Sequence, residues 1–193
     1  MPVVTGVRER PRGRVEVDLD GAVWRLLPVD VVARAGLVVG RTLDRETARA
    51  LARELRSAAA LERTSRALRQ RDRSREALAE RLAGAGVPAA AAESALAKLE
   101  AAGLVDDARL ATRRAEALAE RGYGDAAIRF GLARELLPAA LVEEALRRLQ
   151  PEPERARTLV ERRGAGPRTA RWLAARGFDP ATVSAAVGFA DEA

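Results

Sequence analysis

Leu82-Ala83-Gly84-Ala85-Gly86-Val87-Pro88, followed by Ala92, Ala95-Leu96 and Leu99, is the pattern around which the chain is organised. Moved 50 residues along, Leu132, Leu136-Leu137-Pro138, Val142, Ala145-Leu146 and Leu149 fall in register without a gap. A further shift of 41 brings in Leu173, Gly177-Phe178, Val183 and Ala186-Val187, with Pro180 displaced by one place. In each copy a helix ends at a Gly or Leu, one apolar residue follows, and a proline opens the next helix, where its missing N–H and fixed φ are tolerated. A further helical stretch precedes each pair, over roughly Ala58–Arg71, Asp106–Glu120 and Glu154–Arg163. The reading is three tandem three-helix units at 58–103, 104–150 and 151–193, the last one shortened.

Helices of this length are marginal alone, so the stripes Leu61/Leu68, Leu78/Leu82, Ile128/Leu132/Leu136 and Val142/Leu146/Leu149 must pack on one another. Tandem units that contact only their neighbours stack into an elongated, curved body. Upstream of them the period changes. From Val3 to about Leu27 apolar and polar residues alternate, and Asp20-Gly21 between Val15–Leu19 and Ala22–Leu26 is a type I′ turn signal, predicting a small β-hairpin in an N-terminal extension over 1–57. The predicted fold class is therefore mainly α, with that hairpin attached.

Composition narrows the function. The 193 residues are 48% hydrophobic and 32% charged, close to globular averages, and contain neither cysteine nor histidine. Cys/His zinc sites, thiol nucleophiles, Ser-His-Asp triads and imidazole acid–base chemistry are thereby removed. With no charged-then-apolar leader and no long apolar run, the expected address is cytoplasmic. Formal charge is +6 and the pI is about 11.0, which favours an acidic partner such as nucleic acid or a nucleoprotein. The segments 1–57, 58–103, 104–150 and 151–193 carry +3, +2, 0 and +1, so the excess lies towards the N-terminal half.

Gly103-Leu104-Val105-Asp106-Asp107-Ala108-Arg109-Leu110-Ala111, then Arg121-Gly122-Tyr123-Gly124 and Ile128-x-x-x-Leu132, closely resembles the signature of the RecX family of recombination regulators. Arg73-Ser74-Arg75-Glu76-x-Leu78-x-x-x-Leu82 resembles that family's first-repeat helix, and Arg176-Gly177-Phe178 with Val183 its third-repeat turn, so the likeness spans about residues 58–190. The hairpin resembles the β extension of many members. Three positions depart from the pattern: Leu110 where an aromatic is usual, Phe130-Gly131 where a polar pair is usual, and Leu136 where glycine closes the helix. The resemblance implies a protein that binds the RecA filament on single-stranded DNA, lies along its groove and lowers RecA's ATPase, filament growth and strand exchange. It implies action in DNA repair, homologous recombination and the SOS response. The partner expected is the RecA filament on single-stranded DNA, with direct contact to DNA left as an open alternative, and a monomer with no cofactor and no membrane contact is expected.

Each motif also has a plain structural reading. Adjacent Asp106 and Asp107 point about 100° apart on a helix, which suits a helix cap and a dipole complement better than a metal or acid–base pair. Asp125 would repeat that device after Gly122-Tyr123-Gly124. Gly164-Ala165-Gly166-Pro167 lacks the lysine and hydroxyl of a phosphate loop and reads as an inter-helix turn.

Arg63, Arg66, Arg69, Arg71, Arg73 and Arg75 stand against Asp72 as the only acid within thirteen residues. On a helical wheel Arg66 and Arg73 lie about 120–140° from the Leu61/Leu68 stripe and Arg63 almost opposite it, facing solvent. Such a run is either a solvated face or a guanidinium surface for phosphates or carboxylates. The candidate partner-binding residues are Arg63, Arg66, Arg69 and Arg73 in the run, with Arg121, Tyr123 and Arg129 in the second unit; no catalytic, cofactor or metal residue is predicted. A helical protein binding DNA without RecA is the alternative, although no helix carries the Asn, Gln and Arg cluster of base readout.

Overall fold

The computed structural model describes residues 1–188. Strands β1 (Val4–Arg10), β2 (Arg14–Leu19) and β3 (Ala22–Pro28) form an antiparallel sheet in that order. The expected β2–β3 hairpin is present, with positive φ at Asp20 (49°) and Gly21 (85°). A third strand extends it, because Arg12 (φ 64°) and Gly13 (φ 66°) make a second tight turn that brings β1 onto the other side of β2. A left-handed arginine gives little warning in sequence, which is why a hairpin is expected and a three-stranded meander is found.

The helices are α1 (Val29–Arg34), α2 (Arg45–Leu68), α3 (Arg75–Gly84), α4 (Ala89–Ala101), α5 (Asp107–Glu120), α6 (Asp125–Arg134), α7 (Ala139–Arg147), α8 (Glu152–Arg163), α9 (Pro167–Ala175) and α10 (Pro180–Gly188). Residues 189–193, the end of the third predicted unit, lie outside the described residues. The chain divides into two compact units, one of residues 1–70 with 79–102, the other of 71–78 with the chain from Gly103 onward.

In the first unit the sheet and α1 close a core of Val4, Val15, Val17, Leu27, Val31, Val32, Leu37 and Leu51. Helix α2 runs through residues 57 and 58 without a break, so the helical part of the extension and the first helix of the first repeat are one 24-residue element. Its start is capped by Asp44, whose carboxylate accepts from the Thr47 N–H at 2.7 Å. Its buried stripe differs from the expected Leu61/Leu68. Ser57, Ala60, Thr64 and Ala67 face inward, while both leucines are only half-buried. Helix α4 packs along α2, and its buried residues are Ala91, Ala92, Ala95, Leu96 and Leu99. The Ser57 and Ser94 hydroxyls meet at 3.0 Å between the two helices.

Helix α2 also ends three residues earlier than expected, at Leu68. Arg73 therefore sits in a loop and is half-buried, where the helical wheel placed it facing solvent. The wheel fails because its helix has already stopped.

In the second unit α5 packs along α7 with α6 against both, and α8 along α10 with α9 against both. Leu110, Ala115, Ile128, Leu132, Val142 and Leu146 fill the first of these triads; Val160, Leu173, Phe178, Val183 and Ala186 fill the second. The repeat alignment holds at atomic detail. Leu82, Leu132 and Leu173 are each at most 1% exposed. Their carbonyls accept from the N–H five residues on, of Val87 (3.0 Å), Leu137 (3.4 Å) and Phe178 (3.2 Å). The residue that makes this closure possible is left-handed in all three: Gly86 (φ 71°), Leu136 (φ 56°) and Gly177 (φ 78°). Leu136 thus adopts the conformation that glycine takes in its two counterparts. Gly164-Ala165-Gly166-Pro167 forms the expected turn between α8 and α9.

Two joints within the second unit share a plan. At the first, the Ser74 hydroxyl accepts from the Ala77 N–H at the start of α3 and donates to the Glu135 carbonyl at the end of α6 (2.6 Å), while the Asp107 carboxylate accepts from the Arg75 N–H (2.9 Å). At the second, Gly124 N–H donates to the Arg176 carbonyl (2.9 Å) and Ala126 N–H to that of Gly177 (3.2 Å), joining the start of α6 to the end of α9. Glu152 there accepts from the Asp125 N–H (2.6 Å). By the repeat shifts, Ser74 corresponds to Gly124 and Glu135 to Arg176.

Candidate functional site

With 33 arginines among 34 basic residues, the informative question is which guanidinium groups are already neutralised. Arg8 and Arg10 share Glu16, and Arg8 also reaches Asp18. Arg113 pairs with Asp72, Arg114 with Glu135, and Arg147 and Arg148 with Glu144. Asp106 caps α5 as expected, accepting from the Arg109 N–H at 2.9 Å. Asp107 does more than complement its own helix, since it closes the first joint. Asp125 does not cap: Gly124 is the N-cap of α6, and the Asp125 carboxylate pairs instead with Arg155. Arg155 is 8% exposed and donates to the Gln150 (2.9 Å) and Tyr123 (2.8 Å) carbonyls as well, so its whole fork serves the second joint.

The sequence-predicted binding residues fall into separate places. Arg63 and Arg66 line a cleft of about 360 Å³ between α2 and the C-terminal end of α3, together with Arg81 and Gln70. Arg66 is paired there with Glu62 at 2.9 Å. Arg69 is the exposed C-cap residue of α2. Arg73 lines a different cleft of about 370 Å³ in the second unit, with Arg71, Arg134 and Phe130. Phe130 is 66% exposed, and the Arg134 guanidinium lies 5.9 Å from its ring centroid. Arg129 binds Glu143 through two hydrogen bonds of 2.6 and 3.0 Å. That fork holds the Glu143 carboxyl below the usual carboxylate range and raises Arg129 further, which leaves Arg129 a neutralised group.

Arg121 and Tyr123 belong to a third place, where sequence reasoning missed most of the members. The guanidinium of Arg121 lies 5.7 Å from the Tyr123 ring, and that of Arg176 lies 4.8 Å from it. Arg176 also lies 4.6 Å from the Trp172 ring, and Arg163 lies 4.1 Å from it. Arg121, Tyr123, Arg176, Trp172 and Arg163 thus form one alternating stack of cations and rings. Among the described residues none of its three arginines has a carboxylate partner. A signal did exist in the sequence: between Arg155 and Arg176 stand seven arginines and a single acid, Glu161. It is diluted in the segment total by acids at both ends.

No protein-family model matches the chain. Curated relatives do. The regulatory protein RecX of Xanthomonas oryzae pv. oryzae (strain MAFF 311018) is 35% identical over 130 residues, covering 62% of this chain and 81% of that protein. RecX of Stenotrophomonas maltophilia (strain K279a) is also 35% identical over 130 residues, with 62% and 80% covered. A crystal structure of regulatory protein RecX superposes with a TM-score of 0.79 at 21% identity, covering 95% of this chain and 98% of the other. That of RecX from Lactobacillus salivarius gives 0.62 at 15% identity, over 72% and 98%. The two structural likenesses carry the fold, a small β-sheet followed by tandem helical units, and the sequence likeness carries the kinship: this chain belongs to the RecX family.

Proposed function

We propose that the chain regulates homologous recombination in the cytoplasm by binding the RecA filament on single-stranded DNA, and that it lowers RecA's ATPase, filament growth and strand exchange without chemistry of its own. The observation that carries this reading is the 35% identity to proteins named regulatory protein RecX over most of their length. One feature of the molecule supports it. The chain holds a surplus of arginine over acid, with Arg63 and Arg81 around one cleft and Arg121, Arg163 and Arg176 in the stack having no carboxylate partner among the described residues. The contact residues proposed on this reading are Arg63, Arg66 and Arg69 on and beside α2, Arg73 in its cleft, and Arg121 and Tyr123 in the stack. Arg129 is the weakest candidate, since Glu143 already occupies its fork.

Co-sedimentation tests the reading. The protein is mixed with RecA filaments assembled on single-stranded DNA in the presence of a slowly hydrolysed ATP analogue, with naked single strands of equal length as the control. Stoichiometric retention on the filaments, at salt that strips the protein from naked DNA, is expected. Equal retention on filament and naked strand at every salt concentration would assign the protein to free DNA and not to the recombinase.

A further inference from the structure

We infer that the stack Arg121–Tyr123–Arg176–Trp172–Arg163 is a binding strip for the phosphodiester backbone of a single-stranded nucleic acid. The inference rests on the proposed filament reading, because it names the component of the nucleoprotein that this part of the chain touches. Each of the three guanidinium groups lies over a ring, at 4.1 to 5.7 Å from a centroid. A guanidinium stacked by its face keeps its N–H donors at the edge, so stacking fixes its orientation and leaves its hydrogen bonds unmade. Arg176 alone directs one N–H inward, to the Arg121 carbonyl. None of the three meets a carboxylate among the described residues, unlike Arg109, Arg113, Arg114, Arg129, Arg147, Arg148 and Arg155; Arg134, Arg157, Arg162, Arg168 and Arg171 also lack one, and what sets the three apart is that rings hold them in one row.

The chemistry that satisfies such a strip is a row of anions, each able to accept from a guanidinium fork. A phosphodiester strand presents such a row without intervening cations; a protein surface interleaves its carboxylates with amines and guanidiniums. The strip is one side chain wide, assembled from the α5–α6 turn, the end of α8 and α9, which matches one strand. Tyr123 and Trp172 are half-buried with arginines lying over them, so the strip reads backbone charge and the bases stay outside it.

The test is fluorescence anisotropy with a labelled oligothymidylate, over a salt series, for the full chain and two double variants. Arg121→Gln with Arg163→Gln removes the two exposed ends of the stack; Arg147→Gln with Arg148→Gln removes two arginines that share the Glu144 carboxylate as partner. The first should weaken oligothymidylate binding tenfold or more and lower the log–log salt slope by about 0.7 per lost phosphate contact. The second should change affinity less than twofold, and both should keep the parent melting temperature. Equal weakening by both pairs would overturn the proposal, and so would an unchanged salt slope in the first. RecA ATPase measured on the same variants separates the two readings. Loss of RecA inhibition by Arg121→Gln/Arg163→Gln with oligothymidylate affinity intact would move the strip to RecA's own surface, overturning this inference and leaving the filament reading standing. Loss of oligothymidylate affinity in a protein that never inhibits RecA would leave the strip standing and overturn the filament reading.

Discussion

Where the start of α3 meets the end of α6, the Ser74 hydroxyl and the Asp107 carboxylate make the connection; where the start of α6 meets the end of α9, the backbones of Gly124 and Ala126 make it directly. The first joint leaves room for a side chain between the elements. The second does not: a Cβ on Gly124 would lie 2.4 Å from both the Gly177 carbonyl oxygen and the Phe178 nitrogen, and one on Gly177 would lie 2.6 Å from the Ala127 nitrogen. The second joint is also locked by Arg155, which stands three residues after Glu152 as Leu110 stands three after Asp107. One repeat plan is thus realised once through side chains and once through bare backbone. A backbone joint constrains sequence far more sharply, because only glycine satisfies it.

The largest expected effect comes from Arg155→Ala, which leaves two carbonyls and the Asp125 carboxylate without their donor; a loss of about 3–5 kcal/mol in urea unfolding is expected. A loss below 1 kcal/mol would erase the distinction between the joints. Gly124→Ala should follow at about 3 kcal/mol, since the added Cβ would collide with backbone and a rotamer change cannot relieve it. Its counterpart Ser74→Ala removes a cap and one buried hydrogen bond, and about 1–2 kcal/mol is expected from the same measurement. The left-handed helix closures give a finer version of the contrast. Gly86 has open space around its Cβ position, so Gly86→Ala carries only the conformational penalty of about 1 kcal/mol, while Gly177→Ala adds a collision with Ala127 and should cost at least twice as much. Equal penalties at the two glycines would mean that the second joint is not backbone-packed.

The smallest effect concerns pH. The Glu143 carboxyl is held below its usual range by the Arg129 fork, so its contribution is fully present above the ordinary carboxylate value and disappears as pH falls through its folded value. Glu143→Gln should lower the melting temperature slightly at neutral pH and flatten the acid side of the profile. Because the pair is surface-exposed, added salt should shrink the difference.

The repeat is legible in the sequence because one apolar pattern returns after shifts of 50 and then 41 residues, and Leu82, Leu132 and Leu173 turn up buried with the same carbonyl geometry. At the second joint Gly122-Tyr123-Gly124 and Gly177 are legible as a turn and a helix end, since glycine advertises a backbone constraint, but their meeting is not. The first joint is not legible, because Ser74 and Asp107 look like ordinary cap residues in any helical chain. The buried stripe of α2 is misread for a related reason: hydrophobicity points to Leu61 and Leu68, but the buried positions of that stretch are Ala60, Thr64 and Ala67. The cation–ring stack joins residues 121 to 176, and no local pattern couples positions so far apart. Only the run of seven arginines against one acid hints at it.

The decisive measurement is the single-stranded-DNA-dependent ATPase of RecA titrated with this protein. The rate should fall with increasing protein, the protein alone should hydrolyse no ATP, and Arg121→Gln with Arg163→Gln should shift the titration to higher concentration without loss of folding. An ATPase rate unchanged up to several equivalents of protein per RecA, or intrinsic hydrolysis that survives rigorous purification, would contradict the proposed function.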